Sequence, residues 1–328
     1  MPRKIEISHR TIIFTVAFLL ALWFLFQIQQ LILALFVAVI LMSALNPVVD
    51  RLERWRLPRW FGIVLIYLLF IVGIGIGIAH LIPPLIDESS AFVKRSDFYI
   101  AQLVNLGLDP SMIAGQISQL GLVPSNIIKT ILGVFSNILS VIFVLIVTFY
   151  LLLERKNLQQ YMTILFGQSQ EKKAGDLVNK IEQQLGGWVR GEVVLMTVIG
   201  VMTYIGLRVL GVDFALPLAI FAGLLEVLPN FGPIISSIPA ILLGFTISPL
   251  MGVAVAALYF IVQQLENSLI VPKVMYRAVG VNPLIVILSL AIGLKLAGTM
   301  GAILAIPAIL IIRVILEEFF TSKKPQNL

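Results

Sequence analysis

The sequence predicts an all-α, polytopic integral membrane protein, and three observations carry that reading. Of 328 residues, 59% are hydrophobic and only 12% charged, where a soluble domain carries about 25%. Apolar runs recur along the whole chain, about eight to ten of them, several with the roughly 20 residues a helix needs to cross the hydrocarbon core. Lysine and arginine gather in alternate connecting segments, which is the positive-inside pattern.

The runs are 11–27, 31–48, 61–83, 131–153, 193–211, 214–229, 232–247, 251–268, 283–298 and 301–316. The first follows Arg3, Lys4 and Arg10 as a signal peptide would, but it lacks a small-x-small cleavage site and passes through Gln27 into the next run. An uncleaved helical hairpin is the better expectation. With the N-terminus inside and strict alternation, 17 of the 23 lysines and arginines fall on the inner side, among them Arg51, Arg54, Arg56, Arg59, Arg155, Lys156, Lys180 and Arg190. Both termini are then cytoplasmic, in an inner or plasma membrane. Trp55, Trp60 and Trp188 flank the basic segments as an interfacial belt. Gly73-x-x-x-Gly77 reads as a close-packing face, since it lacks the strand–turn–helix context of a dinucleotide loop.

Two polar insertions interrupt the pattern. Residues 85–130 form an outer segment with helix starts at Asp109-Pro110-Ser111 and Pro124-Ser125-Asn126 and a stop at Gly121. In the inner segment 157–190, Leu177, Ile181, Leu185 and Trp188 share one helical face. That amphipathic helix either lies on the bilayer surface or packs on a neighbour, and its direct lead into an apolar run favours the surface. The expected organisation is N-terminal membrane helices over 1–84, the outer insertion over 85–130, a membrane helix plus amphipathic helix over 131–192, a transport core over 193–317 and a tail over 318–328.

The core contains an internal echo. Residues 217–242 and 283–310 both begin Pro-Leu and end Ile-Pro-Ala-Ile-Leu, and each follows one longer helix. One helix plus a two-armed hairpin makes an odd number of crossings, so the second unit would enter inverted. Arms of 16 residues are about 24 Å long, short of the roughly 30 Å core, as in re-entrant hairpins. Short, Gly/Pro-interrupted segments in matching positions are a sequence pointer to a transporter binding site.

Polar residues inside these runs are the candidate site. Pro229, Gly232 and Pro233 form a turn with Asn230 at its centre, and Glu226 lies one helical turn before it. Broken backbone at membrane depth survives only against protein or a water-filled cavity, and an intramembrane carboxylate must pair, protonate or face an aqueous path. Gln263, Gln264, Glu266 and Asn267 occupy one arc of roughly 160° at the end of an apolar helix. Lys295 and Thr299 lie near the second tip, with Gly298 and Gly301 as turn residues. Lys295 could neutralise Glu226 or snorkel to the interface.

Other chemistries lack their residues. The chain has no cysteine, and its two histidines, His9 and His80, are far apart, so neither a metal site nor a cofactor is expected. No catalytic triad, phosphate loop or membrane aspartate pair is present, so an enzyme is not expected. The +6 charge sits in inner loops, which points to a lipid bilayer and not to nucleic acid.

The stretches GGWVRGEVV, LLEVLPNFGPIISSIPAIL, VQQLENSLIVPKVM, VGVNPLIVILSLAIG and GAILAIPA, within 186–310, agree in order and spacing with the autoinducer-2 exporter family of bacterial membrane proteins. The chain resembles that family over nearly its whole length. The resemblance implies export of a small polar solute such as autoinducer-2, a homo-oligomer (a pentamer) and an elevator-like movement. It leaves open a sodium or proton as coupling ion, a monovalent cation–proton antiporter using Glu226 or Glu266, and a non-transporting scaffold. Asn282 before Pro283 departs from the family, where a basic residue or histidine is common.

Overall fold

A computed structural model describes residues 9–95, 138–167, 171–228, 231–274 and 282–321, together with Phe98, Ala101 and Val104. The predicted caps at 109–111 and 124–126, Gly121, Pro229 and Asn230 lie outside the described residues.

The described chain is helical throughout: α1 His9–Gln27, α2 Gln29–Arg54, α3 Arg59–Lys94, α4 Ile138–Glu154, α5 Leu158–Phe166, α6 Glu171–Val209, α7 Ala215–Leu225, α8 Phe231–Ile247, α9 Pro249–Leu265, α10 Val271–Val274 and α11 Pro283–Thr321. A 3-10 turn at Arg155–Asn157 joins α4 to α5, and a π-helical turn at Glu266–Ile270 joins α9 to α10. Six helices are long and apolar enough to cross a membrane: α1, α2, α3, α6, α9 with its extension, and α11. Helices α7 and α8 are apolar but shorter, at 11 and 17 residues.

The starts of two core helices follow from local chemistry. Ser248 is extended and its Oγ accepts the Met251 N–H at 3.1 Å, with Pro249 at the first helical position, where no N–H is needed. Asn282 does the same before Pro283, its Oδ1 accepting the Leu284 N–H at 2.9 Å. The residue that departs from the family pattern is therefore a helix cap.

Helix α6 is the centre of the fold. One end packs with α2 and α11 through Ile40, Leu185 and Leu304, and Trp188 and Leu195 meet Leu310. Its other end enters the largest core, where Leu207 meets Leu218 and Ala222 of α7, Ala240 and Leu243 of α8, and Val255 and Tyr259 of α9. A separate core joins α2, α3 and α4 through Met42, Val49, Ile63 and Leu152.

Several expectations need correction. The amphipathic face of 177–188 does not lie on a lipid surface: Leu185 and Trp188 are buried against α2 and α11. Trp188 is thus a core residue, while Trp55 and Trp60 are exposed as a belt requires. Residues 171–209 form one uninterrupted helix, so the junction expected at 192/193 lies inside it. Helix α3 runs through Pro83 and Pro84 to Lys94, past the boundary placed at 84. The runs 11–27 and 31–48 do not fold onto each other. Ile28 donates to the Phe24 carbonyl and accepts from the Ile32 N–H, which carries helical bonding across the junction, and residues 10–27 are all exposed. No atom lies within 4 Å of where a side chain would start at Gly73, Gly75 or Gly77. The close helix approach is instead at Gly223, where an added Cβ would stand 2.7 Å from the Met196 carbonyl oxygen of α6.

An ion-pair lattice ties one end of the bundle together. Arg59 donates from Nε to the Leu152 carbonyl at 2.7 Å, from Nη1 to Asp50 at 2.7 Å and Glu53 at 3.0 Å, and from Nη2 to Asn46 at 2.6 Å. Lys156 pairs with Glu53, and Arg155 binds Asn179 and, at 2.6 Å, Glu182. Beside it, Asn157 and Tyr161 donate to Glu154 and hold its carboxyl below the usual carboxylate range, while the same bond pushes the Tyr161 phenol up. A polar cavity of about 400 Å³, lined by Asn46, Arg59, Arg155, Lys172, Asp176 and Asn179, opens within the lattice.

Candidate functional site

Helix α7 ends at Leu225, and Glu226–Leu228 turn out of it toward α8. The Leu228 N–H bonds the Leu225 carbonyl, and the Gly232 N–H bonds the Leu228 carbonyl at 2.8 Å. Gly232 is buried, and a Cβ there would strike the Leu225 carbonyl group. Only glycine fits this turn. Pro233 follows half-buried in the first turn of α8.

The turn holds Glu226 inward, 1% exposed. Across from it stands Glu266, 4% exposed, at the entry to the π-helical turn, and the two carboxyl groups interact. Gln263, one turn earlier on α9, donates from Nε2 to Glu266 Oε2 at 3.1 Å. A third carboxyl, Glu192 of α6, is 4% exposed and interacts electrostatically with both. Neither of its oxygens has a hydrogen-bond partner, and Glu226 Oε2 has none.

The fold brings together three of the candidates, Glu226, Gln263 and Glu266, and adds Glu192, which sequence reading did not single out. Its signal was present: an acidic residue on the buried side of an apolar helix, at i+4 from Trp188. The arc 263–267 does not act as one face. Gln263 and Glu266 turn inward, while Gln264 and Asn267 are exposed. An arc of 160° is wider than the contact a neighbouring helix makes, so it divides between core and surface.

The second break is in α11. Ala297 (φ −139°, ψ 25°) and Gly298 (φ 59°, ψ −147°) leave helical geometry, and Gly298 takes a left-handed φ that disfavours a side chain. The chain turns back there: the backbones of Gly293 and Gly301 touch, and Leu290 packs with Ala302 and Ala305. Leu228, from the first turn, packs on this same cluster. Lys295 and Thr299 are exposed beside the break, and Lys295 forms no salt bridge with Glu226. A groove of about 1170 Å³ runs between Phe36 of α2 and both halves of α11, lined by Ser289, Gly293, Ala305 and Ile309. Among the described residues no group of three His, Asp or Glu side chains is arranged to hold a metal ion.

A family model described as AI-2E family transporter matches residues 12–321. The chain is similar to the putative transport protein YrrI of Bacillus subtilis (28% identity over 308 residues, 89% of this chain and 87% of the relative). It is similar to the putative transport protein YueF of the same organism, at 26% over 312 residues, covering 88% and 84% of the two chains. It is also similar to the AI-2 transport protein TqsA of Escherichia coli K12, at 25% over 302 residues, covering 89% and 86%. All three are named for transport, and none for cation exchange.

Proposed function

Because the chain belongs to the AI-2E family of transporters, and is a multi-pass membrane transporter and not an enzyme, we propose that it exports a small polar solute of the kind one relative is named for, autoinducer-2. The observation that carries this is the buried polar group Gln263–Glu266–Glu226, set beside an interrupted backbone inside an apolar bundle. Hydrophobic packing has no use for it, and each buried polar atom there costs free energy unless a ligand or partner meets it. Gln263 offers an amide donor and acceptor to a polyhydroxylated solute. Asn230, in the turn itself, and Gln264, Asn267, Lys295 and Thr299, on the exposed sides, would meet solute entering or leaving.

Matching breaks support the inverted-repeat reading. Helix α8 begins at Phe231, eleven residues before Leu242, and helical geometry resumes at Thr299, eleven before Leu310. In each unit a glycine after the break, Gly232 or Gly301, packs on a carbonyl before it. Each unit is then a helix followed by a hairpin, with Pro229, Gly232 and Pro233 at one tip and Gly298 and Gly301 at the other. Movement of these hairpins against the N-terminal helices would give alternating access. The homo-oligomer implied by resemblance would cover α1, which buries nothing in its own chain.

The carrying test is export from proteoliposomes over a panel of small polar metabolites. Gln263→Leu, which keeps bulk and removes both hydrogen-bonding groups, should raise the KM for the exported solute about tenfold, the loss expected for one or two hydrogen bonds. Unchanged KM in a well-inserted Gln263→Leu protein would move the site elsewhere.

Orientation is a second prediction. Described ion pairs divide into two sets. Glu53, Arg59, Arg155, Lys156, Lys180, Glu182, Arg313, Glu317 and Glu318 pair among themselves or with Asp50, whereas Arg95 pairs with Asp213 at 3.5 Å. The first set comprises segments assigned inside by the positive-inside count, the second those assigned outside. In this cysteine-free chain, Asp213→Cys should react with an impermeant thiol reagent on intact cells, and Asn157→Cys only after permeabilisation. The reverse pattern would invert the topology and place the carboxyl cluster on the outer side.

A further inference from the structure

We infer that Glu192, Glu226 and Glu266 form one proton-binding site, with Glu192 its third and open member. The inference rests on the transport reading, and adds to it a second species that the same site carries. Three helical segments bring the three carboxyls together: α6, the turn after α7, and the π-helical turn after α9. All three are at least nine-tenths buried. A hydrogen bond between two carboxyl groups requires a proton on one of them, because an ionised carboxylate only accepts. Buried against each other, Glu226 and Glu266 therefore meet favourably only with a proton on one of them. Glu192 is different: it faces the pair with both oxygens unpartnered. It is the position where a proton can be gained or lost without breaking a hydrogen bond.

Among the described residues, the charged groups of the packed elements are held elsewhere or exposed. On α6, the Arg190 guanidinium reaches the Ala44 carbonyl of α2 at 3.1 Å. Helices α5, α7 and α8 carry no charged residue. Lys273 of α10 and Lys295 of α11 are exposed. Arg313 of α11 pairs with Glu317. On α2, Asp50 and Glu53 are held by Arg59, and Glu182 of α6 is held by Arg155. Three carboxylates left ionised together would repel one another in a medium of low dielectric, and burial favours the neutral form of each, so protons offset the charge. Each proton arrives from water on one side as hydronium, neutralises a carboxylate, and returns to water when the site opens to the other side. No bond other than O–H is made or broken.

The test uses purified full-length protein in lipid nanodiscs, without any solute. Infrared titration reads the carbonyl band of protonated carboxyl groups. At neutral pH the parent protein should show this band, and Glu192→Gln, Glu226→Gln and Glu266→Gln should each diminish or shift it. A lipophilic carbodiimide, which attacks protonated buried carboxyls, should form an adduct on one of the three glutamates at neutral pH and progressively less as pH rises. No band and no adduct in the parent protein would overturn the inference, as would a band and pH dependence unaltered by Glu192→Gln. Because both readings need no cargo, they separate the two claims. A band without solute export would refute the export reading alone, and export without a band would refute this one alone.

Discussion

Gly232→Ala is expected to cut export at least about tenfold while the protein still inserts in the membrane. The added Cβ would overlap the Leu225 carbonyl group and lie 3.0 Å from the Glu226 nitrogen. The obstacle is backbone, so it cannot rotate away. Overpacking of this kind costs about 1–3 kcal/mol, and each 1.4 kcal/mol that falls on the transport barrier is about a factor of ten in rate. The shift propagates to Glu226, one bond beyond Leu225, and through Leu228 to the cluster at Leu290, Ala302 and Ala305. Gly187→Ala is the control, since no atom lies within 4 Å of its added methyl; it should be neutral. Parental export rates from both variants in proteoliposomes would mean that the turn yields and does not hold the site.

The second large effect is expected at Arg59. Its side chain is 9% exposed, and the guanidinium binds Asp50, Glu53, Asn46 and the Leu152 carbonyl at once, fastening α2, α3 and α4 at one level. Arg59→Met keeps the aliphatic stem and removes every donor. Breaking one partner of a buried ion pair typically costs 3–5 kcal/mol. Asp50 and Glu53 retain 46% and 28% side-chain exposure and can recover some solvation, which reduces the expectation to about 2–3 kcal/mol. Thermal unfolding in detergent should show a clear fall in midpoint for Arg59→Met and almost none for Arg51→Met, because Arg51, in the last turn of α2, is exposed. Equal midpoints would mean that apolar packing of Val49, Ile63 and Leu152 alone holds this corner.

The neighbouring polar cavity and the carboxyl cluster involve the two ends of one helical segment. Glu182, held by Arg155, lies ten residues before Glu192 on α6, about 15 Å along the axis. Helix α6 therefore connects the ion-pair lattice mechanically to the proposed site.

The amino-acid sequence by itself determined the solvent and the class. A chain with 59% hydrophobic and 12% charged residues can satisfy its backbone in lipid only as helices or a closed barrel, and runs of 16 to 23 apolar residues select helices. It also marked Gly298 as a place where the backbone can leave helical geometry, because glycine tolerates the left-handed φ found there. Glu226, Gln263 and Glu266 were legible because a polar group in an apolar run has few reasons to persist. Tertiary structure alone decided which of these groups meet. Periodicity gives the direction of a side chain on its own helix but not the identity of the helix opposite. For that reason Gln264 and Asn267 could not be told from Gln263 and Glu266, nor Trp188 from an interfacial tryptophan. Glu192 became a member of the site only when α6 was seen to run unbroken from its charged end into the bundle, bringing a carboxyl 74 residues distant in sequence to face Glu266.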